Sequence, residues 1–197
     1  MMNFNDYDLL KHSAIVVHAS ATKPSMDIGV KEIREWHLAR NFNDIGYHLV
    51  IRRDGTYEHG RDWGTQGAHA LGFNRNPADG KLTFGICMVG GVAEYDHQQP
   101  EDNFTQAQWE SLNKALKAIM EWTNIHTFYG HNELPGHESR GCPCFDTATY
   151  REWFLSSIVA FYLPDDWYKH DWKDGIVKDW NEVNLYKEIN VDYGGAV

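Results

Sequence analysis

Three side chains in this chain are of the types that bind a zinc ion, and they come from separate segments. His131 stands in the sequence Gly-His-Asn-Glu, and Cys142 follows it in Gly-Cys-Pro-Cys-Phe-Asp. His18 stands where the apolar run 15–17 meets a polar turn. Zinc binds imidazole nitrogen and thiolate sulfur, and three protein ligands with an open fourth position are typical of a catalytic zinc site. The residue types therefore permit such a site.

Each of these residues also has an ordinary structural explanation. A histidine at a strand end can simply hydrogen-bond its surroundings, and Cys142-Pro143-Cys144 can form a packed turn or a redox pair. The chain has three cysteines, and two of them are separated by a single residue, so a disulfide framework is a poor explanation. Residue by residue, the metal site stays one of several alternatives.

The composition is that of a globular protein without a nucleic-acid or membrane partner. At 197 residues the chain is long enough for one well-buried core. Its formal net charge of −10 disfavours binding to phosphate backbones, which depends on Lys and Arg. No segment approaches the roughly 18 consecutive apolar residues of a membrane span. Residues 1–8 lack the basic and apolar regions of a secretory signal, so we expect no signal peptide and a cytoplasmic location.

The secondary-structure pattern predicts how these residues are positioned. Asp54-Gly55 between two strand-forming runs is a strong hairpin signal, and Thr105 with Gln108 three residues later forms a capping box that begins a helix. Predicted strands alternate with predicted helices, which indicates an α/β fold with a central mixed β-sheet flanked by helices. The predicted strands span 14–18, 46–53, 82–89 and 125–129, the predicted helices span 30–40 and follow Thr105 and Asp146, and 64–80 is predicted to be a loop.

The chain is expected to contain one catalytic domain and an extension. The regular pattern covers residues 1–162. Residues 163–197 alternate Trp and Tyr with charged residues, and no sustained apolar stripe runs through them. This acidic extension, with Trp167, Trp172 and Trp180, has no role that the sequence assigns.

In combination, the motifs resemble one family. The chain is similar to the zinc-dependent N-acetylmuramoyl-L-alanine amidases of the type-2 amidase and peptidoglycan-recognition-protein superfamily, and within it to the phage lysozyme-like amidases, or endolysins. The resemblance covers roughly residues 13–154 in the family's order. The matching segments are 17–25, 46–51, 53–56, 60–62, 69–74, 85–91, 103–105, and the block around His131 and Cys142-Pro143.

The resemblance implies the reaction. It places a single Zn²⁺ on His18, His131 and Cys142, with a water as the fourth ligand and as the nucleophile. The bond cleaved would be the amide that joins the lactyl group of N-acetylmuramic acid to L-alanine in bacterial peptidoglycan. Tyr47 matches the family's active-site tyrosine, whose phenol would hydrogen-bond the water or the developing oxyanion.

Two features depart from the family pattern. The phage enzymes have a lysine two positions before the cysteine ligand, whereas this chain has Arg140, which keeps the positive charge but holds its proton permanently. We expect Arg140 to stabilise an oxyanion or bind substrate. The segment 135–139 lengthens the connection from His131 to Cys142 and makes His137 a rival ligand, although we expect this Pro-Gly segment to be flexible and prefer His131.

The remaining polar residues of the matching motifs are assigned supporting roles. By the same resemblance, His69 and Asn74 belong to a loop that borders the substrate groove and are expected to bind substrate. Glu133 is either a general base or an orienting carboxylate or loop cap. Cys144 is a reserve ligand or a buried free thiol, and Cys87 is expected to be a core residue.

Several functions other than lysis fit the family. One alternative is a catalytically silent peptidoglycan-binding protein, although such members generally lack the cysteine or the tyrosine. Another is a cytoplasmic muropeptide-recycling amidase, in which we would expect an aspartate in place of Cys142. Binding to RNA polymerase, a property of some phage amidases, has no separate signal in this sequence. We expect a monomeric endolysin that stays in the cytoplasm of the producing cell and acts on the cell wall after release.

Overall fold

The computed structural model describes residues 7–162. Within this part, the alternating strands and helices that the sequence predicts are present. A 3-10 helix, Tyr7–Lys11, comes before the first strand. The strands are β1 (His12–Ala19), β2 (Leu49–Ile51), β3 (Tyr57–His59), β4 (Leu82–Met88) and β5 (Phe128–Gly130), and the helices are α1 (Val30–Ala39), α2 (Gln106–Trp122) and α3 (Thr147–Tyr162).

The five strands form one mixed sheet in the order β3-β2-β4-β1-β5. β1 pairs in parallel with both β4 and β5, and β2 pairs in parallel with β4. Only β3 is antiparallel, and it pairs with β2 through the predicted hairpin. The carboxyl ends of β1 and β5 therefore lie side by side at one edge of the sheet. The predicted α/β fold with a mixed sheet is confirmed.

Helices cover both faces of this sheet. The central strands β1 and β4 are almost entirely buried, as is typical of parallel strands that have helices on both sides. One face packs on α2 and α3, with Leu112 and Phe154 in the same cluster as strand residues. The opposite face packs on α1 through Ile33. Val16 and Ala70 belong to a third cluster, on the side of β1 that also carries His18.

Two local predictions are confirmed in detail. The Thr105 hydroxyl accepts a hydrogen bond from the backbone N–H of Gln108 at 3.2 Å, and the Gln108 side-chain oxygen accepts one from the Thr105 N–H at 3.1 Å. The Gln108 amide also donates to the carbonyl of Val89 at 2.8 Å, which ties the start of α2 to the end of β4. Gly55 has a φ of +84°, which glycine adopts without strain, and it closes the turn between β2 and β3.

The strand before the hairpin is shorter than its composition predicts. The carbonyl groups of Gly46 and Tyr47 pair with loop residues instead of extending β2, since the Ala68 N–H donates to the Gly46 carbonyl at 3.0 Å and the Arg61 N–H donates to the Tyr47 carbonyl at 2.8 Å. The predicted loop 64–80 is confirmed, and through Ala68 it packs against the segment that precedes β2.

Two of the sequence predictions lie outside the described residues. They are the absence of a signal in residues 1–8, of which residues 1–6 are not described, and the acidic extension 163–197. The boundary between domain and extension therefore stays a prediction. None of the helices in the part of the chain that the structure describes has the length and apolar character of a membrane span.

Candidate metal centre and active-site cleft

The sheet brings His18 and His131 together. In the parallel pair of β1 and β5, Val17 lies opposite Gly130, so the next residue of each strand reaches the same edge. His18 is the penultimate residue of β1, and His131 begins a short 3-10 helix directly after β5. Their ring centroids are 4.5 Å apart. Two residues far apart in sequence thus meet because two parallel strands end together.

Backbone hydrogen bonds hold Cys142 beside both histidines. The N–H of Asn132 donates to the Cys142 carbonyl at 3.0 Å, and the N–H of Ala19 donates to the Cys142 sulfur at 3.3 Å. The Cys142 sulfur is 3.7 Å from Nδ1 of His18. One ligand atom from each of His18, His131 and Cys142 lies within 4.8 Å of the others.

The electrostatics of this group suit a cation. Burial and the neighbouring His69 and His131 lower the pKa of His18 well below its usual value, and burial with the nearby Arg140 lowers the pKa of His131 to about 4. Both rings are therefore neutral near pH 7 and have a lone pair to offer. Burial raises the pKa of the Cys142 thiol to about 12, so a thiolate there needs a cation beside it. Two neutral imidazoles and one thiol fit zinc.

His69 lies behind His18 and fixes its tautomer. Nε2 of His69 is 3.1 Å from the Thr83 carbonyl, which can only accept a hydrogen bond, so this nitrogen carries the proton. Nδ1 of His69 is then an acceptor, and it lies 3.0 Å from Nε2 of His18. His18 therefore donates through Nε2 and keeps Nδ1, the nitrogen near the Cys142 sulfur, free for a metal.

Asn74 supports His69 from its own loop. Its side-chain oxygen accepts hydrogen bonds from the backbone N–H groups of His69 at 2.8 Å and Ala70 at 2.9 Å. The sequence analysis assigns His69 and Asn74 to substrate binding, and both line the cleft described below. Because both ring nitrogens of His69 are engaged inside the protein, the contacts give this residue a positioning role.

A cleft of about 310 Å³ opens beside the three candidate ligands. The ring of Tyr47 is 5.1 Å from that of His18, and burial raises the pKa of its phenol well above the usual value, so the hydroxyl keeps its proton. Arg140 is exposed at the rim. The cleft is lined by His37, Arg40, Phe42, Tyr47, Ala68, His69, Leu71, Asn74, His131, His137 and Arg140.

His37 is a cleft residue that the sequence analysis did not single out. It lies on the buried face of α1, and its Nδ1 accepts a hydrogen bond from the Gly46 N–H at 2.8 Å. Its ring is 5.4 Å from the ring of Tyr47. Its position four residues after Ile33, on the apolar side of the predicted helix, was the available signal.

His137 lies outside the group of three candidate ligands in the described part of the chain. The flexibility expected of its segment stays a prediction, and the backbone there is hydrogen-bonded. The His137 N–H donates to the Leu134 carbonyl at 2.9 Å, and the His137 carbonyl accepts from the Arg140 N–H at 3.0 Å. The side chain is only 6% exposed.

The contacts and burial of four further residues define their roles. The Glu133 carboxylate accepts from the Gly130 N–H at 2.6 Å and pairs with Arg151 at 2.8 Å, so it caps the turn that carries His131. Cys144 is a half-buried free thiol outside the candidate ligand group, and Cys87 is a fully buried core residue. His48, which the sequence analysis did not single out, points into the core, where its Nδ1 accepts from the Gly85 N–H at 2.9 Å.

Fold and site together define a class: an α/β protein with a candidate single-metal hydrolase centre at the carboxyl end of parallel strands. Comparison with known proteins narrows this class. The family model of the N-acetylmuramoyl-L-alanine amidases matches residues 8–145. The endolysin of Escherichia phage T7 is 41% identical over 147 residues, which cover 75% of this chain and 89% of that protein. The endolysin of Klebsiella phage KP32 is 40% identical over 149 residues, with the same coverage of each.

Solved structures agree with the sequence comparison. The endolysin amidase LysCS from Clostridium intestinale superposes with a TM-score of 0.58 at 25% identity, over 77% of this chain and 86% of that one. The chain therefore belongs to the N-acetylmuramoyl-L-alanine amidase family, and it is a peptidoglycan amidase. The predicted family, fold and enzyme class are confirmed.

Proposed function

We propose that this chain is a lytic amidase of the phage endolysin type, and that a zinc ion held by His18, His131 and Cys142 makes it active. The observation that carries the proposal is the convergence of these three ligand atoms within 4.8 Å of one another, beside a cleft that also presents Tyr47 and Arg140. The endolysin relatives at about 40% identity support the lytic type.

The ligand side chains are suited to their task before any ion binds. A zinc ion bound there supplies a Lewis acid for the scissile carbonyl and lowers the pKa of water toward about 7. His18 and His131 offer neutral imidazoles, and His69 sets the tautomer of His18. Cys142 contributes the negative charge that partly neutralises the cation.

Tyr47 acts as a hydrogen-bond donor in this proposal. Its phenol stays protonated because burial raises its pKa, so it can donate to the oxygen of the scissile carbonyl as negative charge develops there. The hydrogen bond from the Gly46 N–H to His37 fixes the backbone directly before Tyr47. The donor is therefore positioned by the sheet edge and α1.

Arg140 acts by charge. It lies at the exposed rim of the cleft, where a guanidinium can bind a stem-peptide carboxylate or stabilise the oxyanion. Arginine does not release its proton under ordinary conditions, so it takes over the electrostatic role of the lysine in the phage pattern and not a proton-donor role.

Substrate would occupy the cleft along the loop that carries His69 and Asn74. Leu71, at the tip of that loop, is 82% exposed and offers an apolar contact for the glycan or peptide. Asn74 holds the loop in place through the backbone of His69 and Ala70. Like its endolysin relatives, the enzyme would be made in the cytoplasm and act on the wall after release; its monomeric state stays a prediction.

Mass spectrometry of digested peptidoglycan tests the proposal. We expect new free L-alanine amino termini, loss of their release after chelation, and recovery when zinc is added. Unchanged turnover by the chelated enzyme would refute the zinc mechanism. Binding to peptidoglycan without new amino termini, from zinc-loaded protein, would show a silent binder instead.

A further inference from the structure

The His18 side of the site contains a complete relay of hydrogen bonds. His18 donates through Nε2 to Nδ1 of His69, and His69 donates through Nε2 to the Thr83 carbonyl. A metal-ligating histidine usually donates its second ring N–H to such a partner, which fixes the ring orientation and raises its basicity as a ligand. Behind the candidate ligand His18 thus lies a second histidine, His69, which is anchored to a backbone carbonyl.

On the His131 side, His137 is anchored to a backbone carbonyl in the same way that His69 is anchored to Thr83. Nε2 of His137 lies 2.9 Å from the Leu71 carbonyl, and since a carbonyl only accepts, this nitrogen carries the proton. In an imidazole with its proton on Nε2, Nδ1 is the nitrogen that can accept a hydrogen bond. His137 is anchored to a carbonyl at one end, as His69 is, and is an acceptor at the other.

Two ring nitrogens, one on His131 and one on His137, lie where the inner hydrogen bond of a second relay would form. Nε2 of His131 and Nδ1 of His137 are both buried, and neither has a hydrogen-bond partner among the described residues. The two rings are neighbours, with centroids 4.8 Å apart, close to the 5.0 Å between the rings of His18 and His69. A buried donor and a buried acceptor that both lack partners destabilise the folded state.

We propose that His137 is a positioning residue for the metal ligand His131: Nε2–H of His131 donates to Nδ1 of His137, and His131 binds the metal through Nδ1. The inference rests on the proposed zinc site. It gives the segment 135–139, which lengthens the connection between two ligands, a defined task. That segment carries the histidine that completes a second relay, anchored to the same loop, at Leu71, that borders the cleft.

Nuclear magnetic resonance of the full, zinc-loaded, 15N-labelled chain tests the geometry without any variant. We expect a proton on Nε2 of His131 and a scalar coupling between this nitrogen and Nδ1 of His137, as between His18 and His69. A proton on Nδ1 of His131, which would place the metal on Nε2, overturns the proposal. Absence of the coupling in a spectrum that shows it for His18 and His69 also overturns it.

Zinc affinity, measured by competition with a chelator, tests the consequence. His137→Phe keeps a ring but removes both nitrogens, and we expect zinc to bind about 10- to 100-fold more weakly. His137→Asn should recover part of the loss, because its side-chain oxygen can accept near the position of Nδ1. His97→Phe, which removes an exposed histidine outside the cleft, is the control and should bind like the wild type.

The outcomes separate the two proposals. If the wild-type chain binds no zinc at one equivalent, the proposed function fails and this inference fails with it. If the wild type binds zinc tightly and His137→Phe, folded by its amide spectrum, binds it equally well, only the inference about His137 fails.

Discussion

The two sides of the candidate metal centre are built differently. The sheet side, defined by His18 and His69, belongs to β1 and to a loop packed against β4, and its ring nitrogens have partners or face the ligand group. The loop side, defined by His131, His137 and Cys142, lies in the connection after β5, and one ring nitrogen of each of its histidines is buried without a partner among the described residues.

This difference indicates which side depends on the ion. Parallel strands fix the backbone of the sheet side, and its relay of hydrogen bonds is complete within the protein. The loop side is held by a few backbone hydrogen bonds, such as that from Asn132 to Cys142, and its thiol has a pKa of about 12 without a cation. We therefore expect metal binding to stabilise the loop side more than the sheet side.

Substituting one candidate ligand on each side should give the largest loss of zinc binding and activity. The two variants also test whether the two sides differ in stability. Cys142→Ser and His18→Ala should each lose zinc and almost all activity. Serine is close to cysteine in size, and its oxygen can still accept from the Ala19 N–H, so Cys142→Ser should leave the metal-free fold nearly as stable. His18 is fully buried in β1, and its truncation should destabilise that fold by about 2 to 4 kcal/mol. Urea unfolding in chelator measures both, and equal losses of stability would contradict the distinction.

Tyr47→Phe separates chemistry from metal binding on the sheet side. The variant should bind zinc like the wild type, because the phenol is not among the candidate ligands, and lose activity by about 100- to 1,000-fold if it donates to the oxyanion. Zinc content and the rate of appearance of free L-alanine termini are the two measurements. Nearly full activity in a zinc-loaded variant would remove Tyr47 from its proposed role.

Gly85→Ala tests the relay behind His18 without touching a titrating group. A Cβ at Gly85 would lie 2.6 Å from Cδ2 of His69 and 2.7 Å from its Cγ, so the ring must move and its bond to His18 must lengthen. We expect zinc affinity to fall by about 10- to 100-fold. Ile86→Val, in the same strand but with its side chain in the core cluster on the opposite face, is the control and should keep its zinc affinity; an equal loss there would point to the strand instead.

The smallest effect we predict is the pH dependence of stability that comes from His37. Burial, with Arg40 and Arg61 nearby, lowers its folded pKa to about 4 from 6.5, so the unfolded chain binds the proton more readily. Stability is therefore complete above pH 6.5 and falls as the pH falls toward 4, by about 1 to 2 kcal/mol between 6.5 and about 5.

His37→Asn is the variant for that measurement. Its side-chain oxygen can still accept from the Gly46 N–H but does not titrate, so the dependence of unfolding free energy on pH should be flatter than in the wild type. Denaturant unfolding of metal-free protein at several pH values measures this. Parallel curves for the two proteins would exclude His37 as a source of the acid sensitivity.

The elements with strong local signals were predictable from the sequence. The Asp54-Gly55 hairpin and the Thr105 capping box depend on neighbouring residues only, and both are present. The Pro-Gly composition around His137 is also a local signal and predicts a loop, whereas the contact of the His137 side chain with the Leu71 carbonyl joins residues far apart in sequence, which no local signal specifies.

The sequence by itself determined the candidate ligand types, the strand ends that carry two of them, and the family. Only the tertiary structure decided which nitrogen of His18 faces the ligand group and that His69 stands behind it. These contacts join residues 18 and 69, and 131 and 137, through the register of β1 with β4 and β5 and through loops that pack on them. The direction of a hydrogen bond between two imidazoles depends on a third group, a backbone carbonyl, which no local pattern in the sequence specifies.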